Sequence, residues 1–398
     1  MTRIMGEQLH TRQFQRILLV KPSSLGDIVH ALPVLHGLRT RFPKAHISWL
    51  VFDRFAPLIE AHPELDELIR LGRASPAARR GGDDGASGWS ALRRLVRGLR
   101  RRQFDLVIDL QGLFRSGFLS LATGCAVRIG FARARELAWM FYTHPILTDH
   151  PDAHAADRNY RVAHMLGFAD VPMKFDLAVT DAERQRASAL LENVGIGPNE
   201  PFQAALPGAR WETKRWSPQN FAIVLDRVRA AHGLAGVLLG APDERETCDA
   251  AAQLAKSRPA NLAGQTGIRE LVALIERAAV VLAHDSAPMH LAAALRRPLV
   301  AILGPTNADR TGPYAMPAAV VQANLNCVPC YLKRLRQCPY DHACMRWVAP
   351  EAIAERIITI GSQLRGPPPP ATVPAESGFP PNRGVDWNES ADAGRIRR

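Results

Sequence analysis

Along this chain, short unbroken apolar runs alternate with stretches whose apolar residues recur every three or four positions. Ile17-Leu18-Leu19-Val20 is the first such run, and runs of this kind predict strands buried on both faces of a parallel sheet. The small polar turn Pro22-Ser23-Ser24-Leu25-Gly26-Asp27 then leads into a helical pattern marked by Ile28, Leu32, Leu35 and Leu38. Strand signals return at 47–51, 65–71, 106–110 and 127–131, with a short helix predicted at 55–61 and a longer one at 91–103. Residues 181–194 read as a helix, and 195–201, with two Gly and two Pro, as a break. A second series follows, with strands at 202–206, 236–239, 280–283 and 299–303 and helices at 220–231 and 268–277. This alternation predicts the α/β class, with two Rossmann-like, doubly wound domains over 16–180 and 200–362. Such domains bind ligands at the carboxyl ends of their strands.

Two stretches fall outside the pattern. Residues 72–90 are rich in Gly, Ala and Ser without periodicity, which predicts a mobile loop. Residues 366–398 carry too much Pro and too little apolar content for a core, which predicts a disordered tail.

Charge narrows the partners. A net charge of +12 favours nucleic acid, an anionic membrane or a phosphorylated substrate. The chain carries no helix-turn-helix, zinc-finger or RNA-binding signature, so nucleic acid is not the expected partner. No apolar run approaches the ~20 residues needed to cross a bilayer, and the N-terminus lacks the apolar core of a signal peptide. A cytoplasmic protein is expected. In the helix at 91–103, Leu92, Leu95, Val96 and Leu99 form an apolar stripe, while six arginines between Arg93 and Arg102 crowd the remaining face. That face is either simply solvated or a basic surface that meets anionic lipid.

Candidate chemistry sits at the strand ends. Asp27 lies where the first turn enters its helix, a position for a helix cap or a cleft-facing carboxylate. Gln111 and Arg115 follow the strand at 106–110 across Gly112, and Arg135 stands beside Glu136. In the loop after 202–206, Pro207-Gly208 precedes three cations, of which Lys214 suits a diphosphate. Glu244 follows a Gly turn and suits either sugar hydroxyls or a helix N-terminus. The strand at 280–283 stops at His284-Asp285-Ser286-Ala287, and Pro288 and His290 fall in the first turn of a helix whose N–H groups suit a phosphate.

Among six cysteines, Cys125 and Cys248 stand alone and read as buried thiols. Cys327, Cys330, Cys338 and Cys344 form C-x2-C-x7-C-x5-C. A structural metal site is one reading, and free thiols or a redox pair the other; the spacing departs from common zinc ribbons.

In order, VKPSSLGDIVHALP, DLQGLFRS, AREL, PGARWETKRW, GAPDE, HDSAPMHLAAAL and ILGPT resemble the family-9 glycosyltransferases, the bacterial ADP-heptose:lipopolysaccharide heptosyltransferases. The resemblance spans roughly residues 16–362. It implies a GT-B architecture, two Rossmann-like domains facing across a cleft, with the last helix returning to the first domain. It also implies inverting transfer of heptose from ADP-heptose to a lipid A–Kdo type acceptor at the inner face of the inner membrane, with no cofactor required. Carried over residue by residue, Asp27 matches the catalytic base and Lys214 the cation at the donor diphosphate. Glu244, Asp285, Ser286, Ala287, His290, Pro207 and Gly208 fall in donor-binding segments, though Ser286-Ala287 stands where Thr-Gly is common. Ser24, Gln111, Arg115 and Arg135 fall on the acceptor side. A nucleotide-sugar epimerase of the same fold, or a non-catalytic nucleotide-sugar-binding protein, is the alternative.

Overall fold

The computed structural model describes residues 8–72, 88–148 and 152–362. Most of the loop expected at 72–90, and all of the tail expected at 366–398, lie outside the described residues.

The first six strands are β1 (Arg16–Val20), β2 (His46–Phe52), β3 (Glu67–Leu71), β4 (Leu106–Asp109), β5 (Arg128–Phe131) and β6 (His144–Ile146). They form one parallel sheet in the order β3-β2-β1-β4-β5-β6. The second parallel sheet contains β7 (Phe202–Leu206), β8 (Ala235–Leu238), β9 (Ala260–Asn261), β10 (Val280–His284), β11 (Leu299–Leu303) and β12 (Val320–Gln322). Its order is β12-β11-β10-β7-β8-β9, the same winding repeated. Both sheets therefore have a switch point, between β1 and β4 and between β7 and β10, where adjacent connections leave to opposite sides. The turns after β1, β4, β7 and β10 open there, and they carry most of the candidate residues.

The central strands match the apolar runs because both faces are covered: β7, β10 and β11 are buried at every position. The sequence pattern missed β6, β9 and β12. All three are edge strands of two or three residues, paired on one side only, too short to leave an apolar run. Pro145 sits in β6, where a missing N–H is tolerated. The helical pattern of 28–38 is divided into helices Leu25–Val29 and Leu32–Arg41, and Pro33 occupies the first turn of the second. The helix expected at 55–61 is a 3-10 helix, Asp53–Leu58, with Pro57 inside it.

The last helix departs from expectation. Pro350–Ser362 stays with the second sheet, lying on helix Pro218–His232. Ile353, Ala354 and Ile357 share an apolar cluster with Phe221, Leu225 and Val228, and His232 Nε2 donates to the Ile358 carbonyl at 2.9 Å. Its apolar stripe matches the outer face of that helix, so it stops there.

A single apolar cluster runs from Ile17 and Leu19 under the first sheet to Leu206 and Leu303 under the second. Helix Asp181–Glu192 lies on this seam, packed on helix Ile268–Arg277. Between them Arg269 is buried and fully bonded. Its Nε and one terminal nitrogen reach Glu183 at 2.6 Å each, and it also donates to the carbonyls of Leu58, Leu177 and Ala178. One guanidinium thus ties the second sheet's helix to the loop under the first.

Arg269→Met leaves the Glu183 carboxylate buried without its cation, bonded only by the Thr180 N–H, a loss of about 3–5 kcal/mol. The hydrogen bonds from Arg269 hold the Glu183 carboxyl down at about 2, against 4.5 ordinarily. A depressed carboxyl stabilises the fold fully above the unfolded value and progressively less as pH falls from 4.5 toward 2. Denaturant titrations across that window should show a steeper acid loss for the wild type than for Glu183→Gln. Equal slopes would refute the assignment.

Candidate active site

On the first sheet, the turn between β1 and helix Leu25–Val29 folds around Asp27. As third residue of that helix, its Oδ2 accepts from the Ser24 N–H at 2.9 Å and the Ser24 hydroxyl at 2.7 Å. Its Oδ1 lies 3.8 Å from the ammonium of Lys21, and 43% of its side-chain surface remains open. Lys21 is the last residue before the turn, buried, and donates to the Leu110 carbonyl at 2.7 Å. Burial holds its ammonium below the usual lysine range, with Asp27 pulling the other way. Burial pushes the Asp27 carboxyl up, but the Lys21 charge and the Ser24 hydrogen bonds outweigh it and hold it below its ordinary value. The result is a partly exposed carboxylate that stays ionised, with one oxygen fixed by Ser24 and the other toward Lys21.

The other first-sheet candidates differ in kind. Ser24 serves Asp27 directly. Gln111 Oε1 accepts from the Ser23 N–H at 3.3 Å, joining the turn after β4 to the turn after β1. Arg115 is exposed on the first turn of helix Phe114–Ala122. Arg135 is exposed too, yet its charge reaches Lys21 and Arg158. Arg158 was not anticipated. It lies in helix Ala155–Tyr160, feels Asp27, Arg310 and Arg135, and its Nε is buried without a protein partner. Lys21, Arg135, Arg158 and Arg310 make the surroundings of Asp27 cationic. The sequence signal for Lys21 was its place at the end of a buried strand; Arg158 stands in a helix with no apolar run before it.

On the second sheet, Lys214 ends a 3-10 turn after β7 and pairs with Asp285 Oδ2 at 2.7 Å, both nearly buried. Thr306 also donates to that oxygen at 2.5 Å. Asp285 therefore fixes the lysine, whose ammonium also lies 4.5 Å from the centre of the Trp211 ring. Glu244 packs against Pro207-Gly208 so closely that a Cβ on Gly208 would sit 2.0 Å from its Cδ. Its Oε2 accepts from the Ala241 N–H at 2.9 Å, and burial raises its carboxyl above the ordinary value. Ser286 precedes helix Ala287–Ala294 without capping it, so the first-turn N–H groups stay unclaimed by side chains.

His290 brings the two halves together. Its ring touches Gly26, where an added Cβ would lie 2.5 Å from His290 Cδ2, and its Nδ1 is 3.0 Å from His30 Nε2. Burial lowers it to about 4, and its field links Asp285 and Lys214 on one side to Asp27 on the other. Asp27, Lys214, Asp285 and His290 thus belong to one cleft. A separate hollow beside Gln13–Arg16 and Phe42–His46 opens at the amino ends of β1 and β2, away from these groups.

The four clustered cysteines do not assemble as a metal centre. Among the described residues no three His, Cys, Asp or Glu side chains converge on a point that could hold an ion. Cys327, Cys330 and Cys338 are partly exposed thiols; Cys344 is buried, which pushes its thiol up to about 11, helped by the other three. The segment instead braces the Lys214 loop: Thr213 donates to the Leu332 carbonyl at 2.5 Å, and His342 Nε2 to the Thr213 carbonyl at 2.7 Å.

The Gly26–His290 contact is testable. Gly26→Ala forces the ring away, and overpacking of this kind costs about 1–3 kcal/mol. Adding His290→Ala should recover most of that loss in a double-mutant cycle by chemical denaturation. Strict additivity would mean that the two residues do not touch.

A family model described as glycosyltransferase family 9 (heptosyltransferase) matches residues 92–342. The chain is 29% identical over 329 residues to lipopolysaccharide heptosyltransferase 1 of Pseudomonas aeruginosa, covering 80% of this chain and 86% of that protein. It is 26% identical over 314 residues to the lipopolysaccharide core heptosyltransferase OpsX of Haemophilus influenzae, covering 77% and 84%. Among solved structures, the ADP-heptose lps heptosyltransferase II of E. coli superposes with a TM-score of 0.71 at 22% identity, over 88% of this chain and 100% of that one. The paired sheets are a GT-B architecture, and the chain belongs to glycosyltransferase family 9, the heptosyltransferases.

Proposed function

We propose that this enzyme transfers heptose from ADP-heptose to a phosphorylated, lipid-linked inner-core acceptor of lipopolysaccharide, inverting the anomeric carbon in one displacement. The observation that supports this reading is an ionised carboxylate, Asp27, and a largely buried cation, Lys214, both within electrostatic reach of His290 in the seam. The similar proteins named above supply the sugar and the pathway. The family match begins after Asp27, so the role of that residue rests on its geometry.

In this reading Asp27 Oδ1 takes the proton of the acceptor hydroxyl while that oxygen bonds to the anomeric carbon. The bond from that carbon to the diphosphate breaks on the opposite face, which inverts the centre. Negative charge grows on the departing ADP and is met by Lys214, held in place by Asp285, and by the N-terminus of helix Ala287–Ala294. These groups supply the neutralising charge from the chain itself, with no cofactor assigned a part. Glu244 Oε1, beside Pro207-Gly208, is offered to donor hydroxyls. Arg158, Arg310 and Arg135 suit the acidic groups of the acceptor, with Gln111 and Arg115 at its edge.

The test is mass spectrometry of a heptose-deficient acceptor incubated with ADP-heptose. The wild type should add one heptose. Asp27→Ala should lose about 10^2–10^4 in rate while donor affinity holds. Full activity in that variant would remove Asp27 as base, and donor isomerised without acceptor would turn the reading to an epimerase. Binding without any turnover by the wild type would turn it to a non-catalytic protein.

Because Lys21 helps hold the Asp27 carboxyl down, Lys21→Met should move the acid limb of kcat/KM to higher pH. An unmoved limb would separate Lys21 from the base.

A further inference from the structure

One surface beside the cleft is apolar, exposed and ringed by cations. Phe114, Phe118 and Leu121 recur at spacings of four and three along helix Phe114–Ala122, so they share a face, and they are 49%, 37% and 37% exposed. The buried side of that helix lies against the 3-10 turn Ala138–Phe141. A Cβ on Gly117 would meet Phe141 at 2.6 Å, and the Phe114 and Phe141 rings meet edge to face at 5.2 Å. The same turn projects Leu137, Trp139 and Met140, which are 59%, 50% and 49% exposed. Glu136 and Leu137 both take left-handed backbone angles, φ 55° and 60°. That conformation is costly for a leucine, and here it turns an apolar side chain outward to water. Contiguous large apolar groups of this kind are uncommon on a soluble surface unless something covers them.

The charge around the patch identifies the cover. Helix Gly88–Arg101 packs beside it, with Arg100 Nε donating to the Ala122 carbonyl at 3.1 Å. Arg93, Arg94, Arg97, Arg100 and Arg101 are exposed along that helix, which contains no acidic residue. Helix Phe114–Ala122 has none either, and Arg133 and Arg135 are exposed on the opposite border. Glu136, the acid within the patch, accepts from the Phe114 N–H at 3.2 Å. Aromatic and aliphatic groups inside a rim of arginines match an anionic bilayer, with the rings entering the headgroup boundary and the guanidiniums meeting phosphates. No described helix is long and apolar enough to cross a membrane, so contact of this kind would be peripheral.

We infer that this face is a docking surface for an anionic phospholipid bilayer, built from the apolar face of helix Phe114–Ala122, the turn at Leu137–Met140 and the arginines of helix Gly88–Arg101. Gln111 and Arg135 flank these segments and reach the Asp27 turn, Gln111 by accepting from the Ser23 N–H and Arg135 through its charge on Lys21. Docking there sets the cleft mouth against the lipid surface, so that an acceptor anchored in the membrane reaches the base without leaving it. This orientation rests on the proposed transfer to a lipid-linked acceptor. Adhesion itself does not.

The test uses the full chain and vesicles of phosphatidylethanolamine and phosphatidylglycerol, with neither donor nor acceptor present. Wild type and Asp27→Ala should co-sediment equally with these vesicles, more weakly in high salt, and poorly with pure phosphatidylcholine. The triple variant Leu137→Ser, Trp139→Ser, Met140→Ser replaces exposed side chains and should melt as the wild type does. It should lose about tenfold or more in vesicle affinity. Arg93→Glu, Arg94→Glu, Arg97→Glu should show a comparable loss. Transfer to a deacylated, water-soluble acceptor should be unchanged in both variants, while transfer to vesicle-embedded acceptor falls. Undiminished vesicle binding by both variants would overturn the proposal. So would a wild-type dimer in sedimentation velocity that dissociates in the serine variant while vesicle binding stays absent, since the cover would then be a second copy. Failed transfer to every acceptor with vesicle binding intact would count against the enzymatic reading alone.

Discussion

The contact on which the site depends is between two neutral imidazoles. His30, after the first helix of the first sheet, and His290, in the first full helix turn after β10, meet at 3.0 Å in the seam. Burial lowers the basicity of both rings, and His290 further disfavours charge on His30. Neutral rings can share one proton between facing nitrogens, one donating and one accepting; charged rings cannot. His30 also packs edge to face on His154, whose Nε2 donates to the Gly312 carbonyl at 3.0 Å, and His154 packs on Tyr314. Tyr314 in turn donates to Asp157 at 2.7 Å, one residue before Arg158. A run of rings therefore crosses from one sheet to the other beside Asp27 and Asp285.

Arg269 and the histidines hold the seam by different physics. The guanidinium is charged, buried and fully bonded, a geometry that tolerates no loss of partner. The imidazoles are uncharged and carry one shared hydrogen bond. The seam thus carries a charged, fully bonded contact at Arg269 and a single neutral hydrogen bond at the histidines. A continuous apolar cluster beneath both sheets, from Leu19 to Leu303, adds to these contacts.

Much of the fold was legible because doubly wound sheets hide their central strands on both faces, and only an apolar run can occupy such a place. Ile17–Leu19 and Val280–Ala283 could not have been loops. The edges β6, β9 and β12 were illegible for the opposite reason: with one partner and three residues or fewer, they impose no pattern. The last helix was misplaced because its apolar stripe records that it packs, and not on what. Within the site, Asp27, Lys214, Glu244, Asp285 and His290 were visible as polar residues in the turns and helix starts that follow strands. Lys21 marks the end of a buried strand, but its significance, like that of Arg158, comes from contacts and charges across the chain: Lys21 with Leu110, and Arg158 with Asp27 and Arg310. The cysteine spacing left a metal site and free thiols or a redox pair both open; among the described residues no metal-holding group of three forms, and the segment bonds the loop bearing Lys214.

Asp27 shows why a structural reading and a chemical one need not compete. It is a helix cap in the plain sense, reciprocating with Ser24. Those same two hydrogen bonds occupy Oδ2, stabilise the anion against burial, and leave Oδ1 toward the Lys21 ammonium. A carboxylate free to rotate would present either oxygen and lose orientation each time it moved. Anchored by its cap, it has one orientation, and Lys21 keeps it charged. Helix capping here holds a half-exposed carboxylate ionised and in one orientation, which is what the proposed base requires.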